Sequence, residues 1–368
     1  VGGATRSAAP PILPFKAGSS TVAVVGPHAN DHSTLLGNYL GQICADGFTS
    51  RTCVQSPFEA IRAINGAGRS TNVTGCAVNS TDDSGFDTAL AAARAADTIV
   101  YVGGLDVEKV EREGKDRADV GLPGQQPSLL RKLLALNKPV ALVLFHGGIV
   151  TFPPDLLEAP NLAVVSAGYP GIYGAAAIAR ALFDRDAEPA TNRWGKTPVT
   201  WYSEKGWADA AFDMLSFDMA KSPGRTHRYY TGTPQWPFGF GLSYGRTSLA
   251  ARISDGAIRA VITNEDAARV TDEVAFVYVV PAAGTLPDGA PAAALRRSLV
   301  HFERFGPIAP GAAANMVFVP LPRMVRVHDA EGKLKLHKGA YDFVVSTGDA
   351  TSEVHLRFAC DEAACRVA

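Results

Sequence analysis

Residues 86–104 read FDTALAAARAADTIVYVGG. The first part, Phe86–Ala96, is rich in alanine and predicts a helix, whereas Thr98–Val102 is a short β-branched run that predicts a strand. The strand ends at Gly103-Gly104, where a loop is expected to begin. A helix that leads directly into a short apolar strand is the repeating unit of a parallel sheet covered by helices.

The same alternation of strands and helices continues on both sides of this stretch. Strands are predicted at Thr21–Val25, Asn72–Val78, Pro139–Phe145 and Leu162–Ser166, and helices at Phe58–Ile64, Gln125–Leu136 and Tyr173–Phe183. We therefore predict an α/β sandwich domain with a mostly parallel sheet over residues 21–190, preceded by a linker at 1–20. Because ligands of such sheets meet the loops at the C-terminal strand ends, the long charged loop after Gly104 is the candidate site.

The pattern changes twice after residue 190. Residues 191–248 are rich in aromatic residues, glycine and proline, and they predict an irregular segment that wraps back over the α/β domain. From residue 249 the apolar period becomes two, which predicts a β-sandwich over 249–368. Its strands are predicted at Ala257–Asn264, Asp272–Val280, Leu299–Phe305, Ala314–Val319 and Ala340–Ser346, with a long exposed loop at Pro281–Ala294.

Composition excludes several classes of function. The chain has 368 residues, of which 46% are apolar and 19% are charged, so it can bury two domain cores. Its formal net charge of −1 gives no indication of a nucleic-acid partner. The longest apolar stretches, such as Pro139–Phe145, are too short to cross a bilayer, so no membrane association is expected.

The cysteines and glycosylation sequons favour an oxidising compartment. Cys44 with Cys53, and Cys360 with Cys365, have spacings that suit local disulfides better than a zinc site. Cys76 is left over, either buried and reduced or paired with another chain. The sequons at Asn72 and Asn79 are candidate glycosylation sites. Together these features favour a secreted, extracellular or vacuolar-lysosomal protein. Since no leader precedes Val1, we expect the chain to begin inside a longer precursor.

Several ordered motifs resemble the C-terminal α/β domain of glycoside hydrolase family 3. They are Gly26-Pro27, Gly37-Asn38-Tyr39, Glu113–Arg117, Leu122–Gln126, Gly168–Gly171, Pro198–Tyr202, Pro223–Thr226 with Tyr229-Tyr230, and Pro237–Tyr244. The β-rich region resembles the fibronectin type III-like domain of that family, with His301–Arg304 and Ala309–Gly311 in the expected order. Within the family, Cys44, the loop after Gly104 and Val199–Tyr202 look most similar to the β-xylosidases of plants and fungi.

The resemblance implies a retaining exo-glycosidase, with β-xylosidase as the leading activity on xylo-oligosaccharides. β-Glucosidase, α-arabinofuranosidase and a non-catalytic carbohydrate-binding or structural module are the alternatives. Matching the family loop from Asp116-Arg117 assigns the general acid/base to Glu111, with Glu113 and Glu108 as alternates because the loop is one residue longer here. The nucleophile of the family is an aspartate on an N-terminal (β/α)8 barrel, which this chain lacks. The implied partner is that barrel, as a chain or segment of the same precursor; no cofactor is implied.

Local charge argues against a simple transfer of this role to Glu111. Lys109, Arg112, Lys115 and Arg117 surround it, and cations favour an ionised carboxylate, whereas a general acid has to carry a proton. The alternative is a solvated charged loop with ordinary ion pairs. Asp116-Arg117 is expected to anchor this loop, and sugar binding is the alternative role for that pair.

Three other patterns in the sequence do not predict a functional site. Arg225, His227 and Arg228 are expected to fix the irregular segment. His28 and His32 lack a third metal ligand at convincing spacing. The sequence 241–245 fits the Gly-x-Ser-x-Gly pattern of an esterase. A nucleophile elbow has to join a strand to a helix, whereas here an irregular segment precedes Ser243 and a strand pattern follows it, so an esterase is not expected.

Overall fold

The structure is a computed structural model that describes residues 11–184, 194–210, 216–243, 245–282, 296–329, 331–348 and 352–368. These residues fall into two compact units, and the division lies between Glu188 and Pro189. The first ten residues of the predicted linker, Tyr244 and most of the predicted loop at Pro281–Ala294 lie outside the described residues.

The first unit alternates strands and helices as the sequence predicts. Its elements are β1 (Phe15–Lys16), β2 (Val22–Val25), α1 (Pro57–Asn65), β3 (Ser70–Val73), α2 (Phe86–Ala95), β4 (Thr98–Gly104), α3 (Gln126–Leu134), β5 (Val140–Phe145), α4 (Pro154–Leu157), β6 (Leu162–Ser166), α5 (Gly174–Leu182) and β7 (Phe183–Asp184). Short 3-10 turns lie at Thr34–Leu36 and Ala67–Arg69. The strand predicted at Asn72–Val78 ends early, at Val73, because the chain turns at Gly75, whose φ is 74°.

Five strands of this unit form one parallel sheet in the order β3-β2-β4-β5-β6. Every residue of the central strands β4 and β5 is buried, as expected for a sheet covered on both faces. The strand order reverses between β2 and β4, since the chain moves first to β3 and then back past β2. Ligands of such sheets bind at this point, outside the carboxyl ends of the strands.

Local signals explain where the helices begin. Helix α1 has a capping box, in which the Ser56 side chain accepts from the Glu59 amide and the Glu59 carboxylate accepts from the Ser56 amide. Pro57 occupies the first helical position, where the lost N–H costs nothing. The helix then buries Ala60 and Ile61 on one face, which fixes it against the core of the unit.

The second unit is mainly antiparallel. Its elements are β8 (Trp201–Tyr202), α6 (Glu204–Ala210), α7 (Thr226–Tyr229), β9 (Pro234–Trp236), β10 (Thr247–Ser254), β11 (Ala257–Asn264), β12 (Thr271–Pro281), β13 (Ser298–Ile308), β14 (Ala313–Phe318), β15 (Val327–His328), β16 (Leu334–Lys335), β17 (Gly339–Ser346), β18 (Val354–Cys360) and β19 (Cys365–Val367), with a 3-10 turn at Pro322–Val325. A three-stranded sheet, β10-β11-β14, and a five-stranded sheet, β13-β12-β17-β18-β19, enclose a core that includes Ile258, Val277 and Phe343. The β-sandwich prediction is confirmed.

Strands β10, β18 and β19 were missing from the sequence prediction. In β18 the apolar residues Val354, Leu356, Phe358 and Cys360 recur at every second position, so the sequence contains a strand signal that the prediction did not use. In β10 and β19 no residue is buried, and the signal is weaker. The residue contacts group the described part of 191–248 with this second unit, whereas the sequence pattern assigned the segment to the α/β domain. The domain boundaries at 190 and 248 stay predictions.

Two disulfides join the cysteines that the spacing paired. Cys44 is bonded to Cys53, and Cys360 to Cys365, which face each other across β18 and β19. Cys76 is a buried free thiol near the Tyr101 hydroxyl, and burial raises its pKa. Across the described residues, no helix has the length and apolar character that a bilayer crossing requires.

Candidate active site

The loop that carries the predicted acid/base follows β4. Gly104 ends the strand with φ 120°, and a Cβ there would lie 2.1 Å from the Phe145 carbonyl oxygen, so only glycine fits. Asp106 is buried, and its Oδ1 accepts from the amides of Glu108 (2.7 Å) and Lys109 (2.9 Å). The Asp106 carbonyl accepts in turn from the Glu111 amide at 3.1 Å. Asp106 therefore fixes the turn that positions Glu111.

The loop reverses in a tight turn directly after Glu111. Arg112 and Lys115 exchange backbone hydrogen bonds of 3.0 and 2.8 Å, which leaves Glu113 and Gly114 at the tip. Glu113 is exposed, and its carboxylate accepts from the Tyr39 hydroxyl. Glu108 is also exposed, on the turn before Glu111. The three predicted candidates therefore have different surroundings.

Glu111 is the best enclosed of the three candidates. Its Oε1 accepts from the Gly147 amide at 2.8 Å and from the Tyr169 hydroxyl at 2.9 Å. Its Oε2 lies 3.1 Å from Arg117 Nε, and the two side chains are only 17% and 13% exposed. Gly147 follows β5 and Tyr169 follows β6, so three adjacent strand ends converge on one carboxylate.

Two glycines make this convergence sterically possible. A Cβ at Gly147 would lie 2.8 Å from Glu111 Oε1, and a Cβ at Gly148 would lie 2.7 Å from Arg117 Nη2. Any side chain at either position would push the carboxylate or the guanidinium out of place. The sequence His146-Gly147-Gly148 resembles an esterase oxyanion loop. Here its two glycines instead leave room for the Glu111 carboxylate and the Arg117 guanidinium.

Arg117 is the one basic residue of the loop whose contact with the Glu111 carboxylate the structure describes. Its Nη2 donates to the Ile149 carbonyl at 2.9 Å, and its Nη1 is buried without a hydrogen-bond partner among the described residues. Lys109 instead lies 3.9 Å from Asp106, and Lys115 donates to the Lys109 carbonyl. The charge that surrounds Glu111 in the sequence is thus reduced to a single ion pair in the fold.

His146 and Tyr169 lie at the site but are not among the catalytic candidates that the sequence offers. His146 Nδ1 lies 2.9 Å from the Gly148 carbonyl, which makes it the donor, and Nε2 then accepts from Ser166 Oγ at 2.7 Å. Burial, more than any other cause, lowers the pKa of His146. Burial and then the charge of Glu111 raise the pKa of Tyr169 far above its usual range, so its hydroxyl remains a donor. Tyr169 was visible only as part of a family motif.

A cluster of polar side chains lies at the ends of β2 and β4. His28, Asp31 and Asp106 each place one potential ligand atom within 4.8 Å of the others. The Asp31 oxygens already accept from the Ser33 amide, the Thr34 amide and hydroxyl, and His28 Nδ1. Burial opposes ionisation of Asp31, but the bonds from His28, Thr34 and Ser33 prevail and lower its pKa. This group fixes the loop after β2, and His32 instead contacts the Val54 carbonyl at 2.7 Å.

The residues around Ser243 do not form a nucleophile elbow. Ser243 Oγ is bonded to Thr271 Oγ1, and the next element is strand β10 rather than a helix.

Comparison with known proteins identifies the family. Residues 9–244 match the model of the glycosyl hydrolase family 3 C-terminal domain. Beta-D-xylosidase 1 of Arabidopsis thaliana is 39% identical over 231 residues, which are 61% of this chain and 27% of that protein. A probable exo-1,4-beta-xylosidase of Aspergillus fumigatus is 32% identical over 369 residues, with 92% of this chain and 44% of that protein covered.

Solved structures agree with the sequence comparison. A family 3 exo-beta-xylosidase in complex with a xylobiose aziridine probe matches with a TM-score of 0.76 and 26% identity, over 97% of this chain and 47% of that one. A β-glucosidase from Erythrobacter marinus matches with a TM-score of 0.70 and 25% identity. The chain spans less than half the length of these relatives. It belongs to glycosyl hydrolase family 3, and residues 9–244 correspond to the C-terminal domain of that family.

Proposed function

We propose that this chain is the C-terminal part of a retaining exo-glycosidase, and that Glu111 is its general acid/base. The main observation is that Glu111, alone among the three predicted glutamates, is enclosed by groups from three strand ends of the parallel sheet. It lies on the loop after β4, beside the point where the strand order reverses, which is where α/β sheets bind ligands.

The nucleophile in this proposal is a carboxylate on an N-terminal barrel of the same precursor. Among the described residues, the polar partners of Glu111 are an amide, a hydroxyl and a guanidinium, and none is a second carboxylate. Retaining glycosidases need two carboxyl groups about 5–5.5 Å apart. The barrel therefore has to approach the exposed side of Glu111 closely.

In the first step, the nucleophile attacks the anomeric carbon while protonated Glu111 gives its proton to the leaving oxygen. In the second, ionised Glu111 removes a proton from the water that displaces the nucleophile, and the sugar is released with its original anomeric configuration. β-Xylosidase activity on xylo-oligosaccharides is the leading assignment, since the names of the similar proteins from Arabidopsis and Aspergillus describe β-xylosidases. β-Glucosidase or α-arabinofuranosidase activity is the alternative within the family.

Substitution of Glu111 in the complete enzyme tests this proposal. We expect Glu111→Ala to lower the rate on nitrophenyl β-xyloside by about 10²–10⁴-fold, because general acid/base catalysis contributes that much. Azide should restore turnover of this activated substrate by replacing water as the attacking group. The matched control is Glu113→Ala, two residues along the same loop, which should keep most of the activity.

Full activity in Glu111→Ala would refute the assignment and move it to Glu113 or Glu108. Parallel assays on β-glucoside and α-arabinofuranoside decide the sugar. A complete protein that cleaves none of the three would favour the competing reading, a non-catalytic carbohydrate-binding or structural module. We further propose a secreted or vacuolar-lysosomal location, supported by the two disulfides and the exposed sequon at Asn79.

A further inference from the structure

The two carboxylate oxygens of Glu111 have unequal surroundings. Oε1 accepts from two groups that belong to different strand ends, the Gly147 amide and the Tyr169 hydroxyl. Oε2 has one described contact, Arg117 Nε at 3.1 Å. A carboxyl oxygen that takes a proton keeps one acceptor position instead of two. Protonation of Oε1, which already accepts two bonds, therefore displaces or turns one of its donors, whereas Oε2 has an acceptor position to spare.

Loss of the donor at Oε1 is difficult. The Gly147 amide is part of the backbone, and the turn that holds it is fixed by the bond from His146 Nδ1 to the Gly148 carbonyl at 2.9 Å. The Gly147 amide therefore keeps the one acceptor position that a protonated Oε1 retains, and the Tyr169 hydroxyl has to turn and accept the proton. A proton on Oε1 would then point at Tyr169 and not at the leaving oxygen of a substrate.

Loss of the donor at Oε2 is easier. Arg117 is a flexible side chain, and its second anchor, the bond from Nη2 to the Ile149 carbonyl, does not depend on Glu111. Its Nη1 is buried without a hydrogen-bond partner among the described residues, so the Nη2 bond to Ile149 is the contact that remains described when Nε turns away from Oε2. The ion pair can open without disturbing the backbone.

We propose that Oε1 of Glu111 is a permanent anchor, that Oε2 alone carries and transfers the proton, and that Arg117 is a positioning residue whose ion pair opens when Glu111 is protonated. This inference rests on the proposed function, since it assigns roles within the acid/base. It also assigns the ion pair a role in each of the two steps. The closed pair stabilises the ionised form that activates water, and the open pair accompanies the acid form that protonates the leaving oxygen.

Nuclear magnetic resonance on this chain, without sugar or barrel, tests the proposal directly. With ¹⁵N-labelled arginine and glycine, the Arg117 Nε–H and Gly147 N–H signals report on the two oxygens separately. When acid protonates Glu111, we expect the Arg117 Nε–H to lose its protection from solvent exchange while the Gly147 N–H keeps its protection. Loss of protection at Gly147 with Arg117 still protected, or loss at both together, would overturn the proposal.

Other titrating groups face Glu111 and need a control. They are His146 from the end of β5 and Tyr169 from the end of β6. Glu111→Gln keeps an oxygen for Gly147 and Tyr169 but has no charge for Arg117. It should show the open Arg117 signal already at pH 7, and any pH response that remains in it comes from the other groups. Glu113→Gln should leave both signals and their pH response as in the unaltered chain.

The complete enzyme offers a second readout. Arg117→Met removes the cation that pairs with ionised Glu111, so the dependence of kcat/KM on pH should differ from that of the unaltered enzyme. Arg117→Lys should restore much of the original profile. An unchanged profile in Arg117→Met would contradict the role given to Arg117. The proposed function is tested separately by the activity of Glu111→Ala. If that variant is fully active, the proposed function is wrong, whatever the signals of Arg117 and Gly147 show.

Discussion

At the scale of the residue, environment rather than identity separates the three glutamates of the loop. Glu108 and Glu113 are exposed, whereas Glu111 is 17% exposed and bonded on both oxygens. A carboxylate that catalyses proton transfer has to be held in place by its neighbours, and of the three only Glu111 has described partners on both oxygens. The sequence ranked Glu111 first by its resemblance to a family motif, and the geometry provides a physical reason for that choice.

The burial of His227 leads to a prediction about the pH dependence of stability, at the same scale. Its ring stacks on Phe238, with centroids 4.3 Å apart. Burial, helped by the charges of Arg228 and Arg297, lowers its pKa to about 4. Between pH 6.5 and 4 the unfolded chain therefore binds a proton that the folded chain does not. The stability contributed by neutral His227 is complete above pH 6.5 and is lost as the pH falls through this window.

We expect His227→Phe, which keeps a stacked ring but cannot be protonated, to lose less stability than the unaltered chain between pH 7 and pH 4. Urea denaturation at several pH values measures this difference. Exposed His328→Phe is the matched control, and it should follow the unaltered chain. Parallel pH dependence in His227→Phe and the unaltered chain would contradict the prediction.

At the scale of the element, the end of β4 is held by one buried amide. Gln126 is fully buried at the start of α3. Its Oε1 accepts from the Gly104 amide at 2.7 Å, and its Nε2 donates to the carbonyls of Gly104 (2.8 Å) and Val78 (2.9 Å). Helix α3 thereby fixes the point from which the Glu111 loop departs.

We expect Gln126→Met to lower the free energy of unfolding by roughly 3 kcal/mol or more, since three hydrogen bonds are lost and buried backbone groups remain unpaired. The neighbouring Gln125 is a matched control, because its side chain makes one described bond, to the Thr81 carbonyl at 3.3 Å. Gln125→Met should cost about 1 kcal/mol or less. Equal losses in the two variants, measured by urea denaturation, would show that the Gln126 bonds do not anchor the strand.

The elements also show why some boundaries were predictable. The helix predicted at Phe86–Ala96 runs over Phe86–Ala95, and the strand at Leu162–Ser166 has the predicted bounds, because their apolar patterns are strong and their ends carry turn signals. Strands β10 and β19 were missed because they bury no residue completely. Their pairing with β11 and β18 comes from contacts between strands, which no local pattern contains.

At the scale of the whole molecule, the proposed site is incomplete. Glu111 has no carboxylate among its described partners, so this chain by itself should not perform a two-carboxylate hydrolysis. We expect the isolated chain to release no nitrophenol from β-xyloside above background, and the complete protein to do so. Turnover by the isolated chain that disappears in Glu111→Ala would mean that both carboxylates lie in this chain and would end the barrel part of the proposal.

The sequence by itself determined the alternation of strands and helices, the change to a two-residue period, the two cysteine pairs and the family. These follow from local patterns and ordered motifs, which need no knowledge of distant contacts. Only the tertiary structure decided which glutamate is enclosed. It shows that, among the described residues, Arg117 is the one basic residue of the loop that contacts the Glu111 carboxylate. It also shows that Gly147 and Tyr169 hold Oε1. The two contacts at Oε1 join residues 36 and 58 positions apart, and they form because parallel strands bring their carboxyl ends to one edge of the sheet.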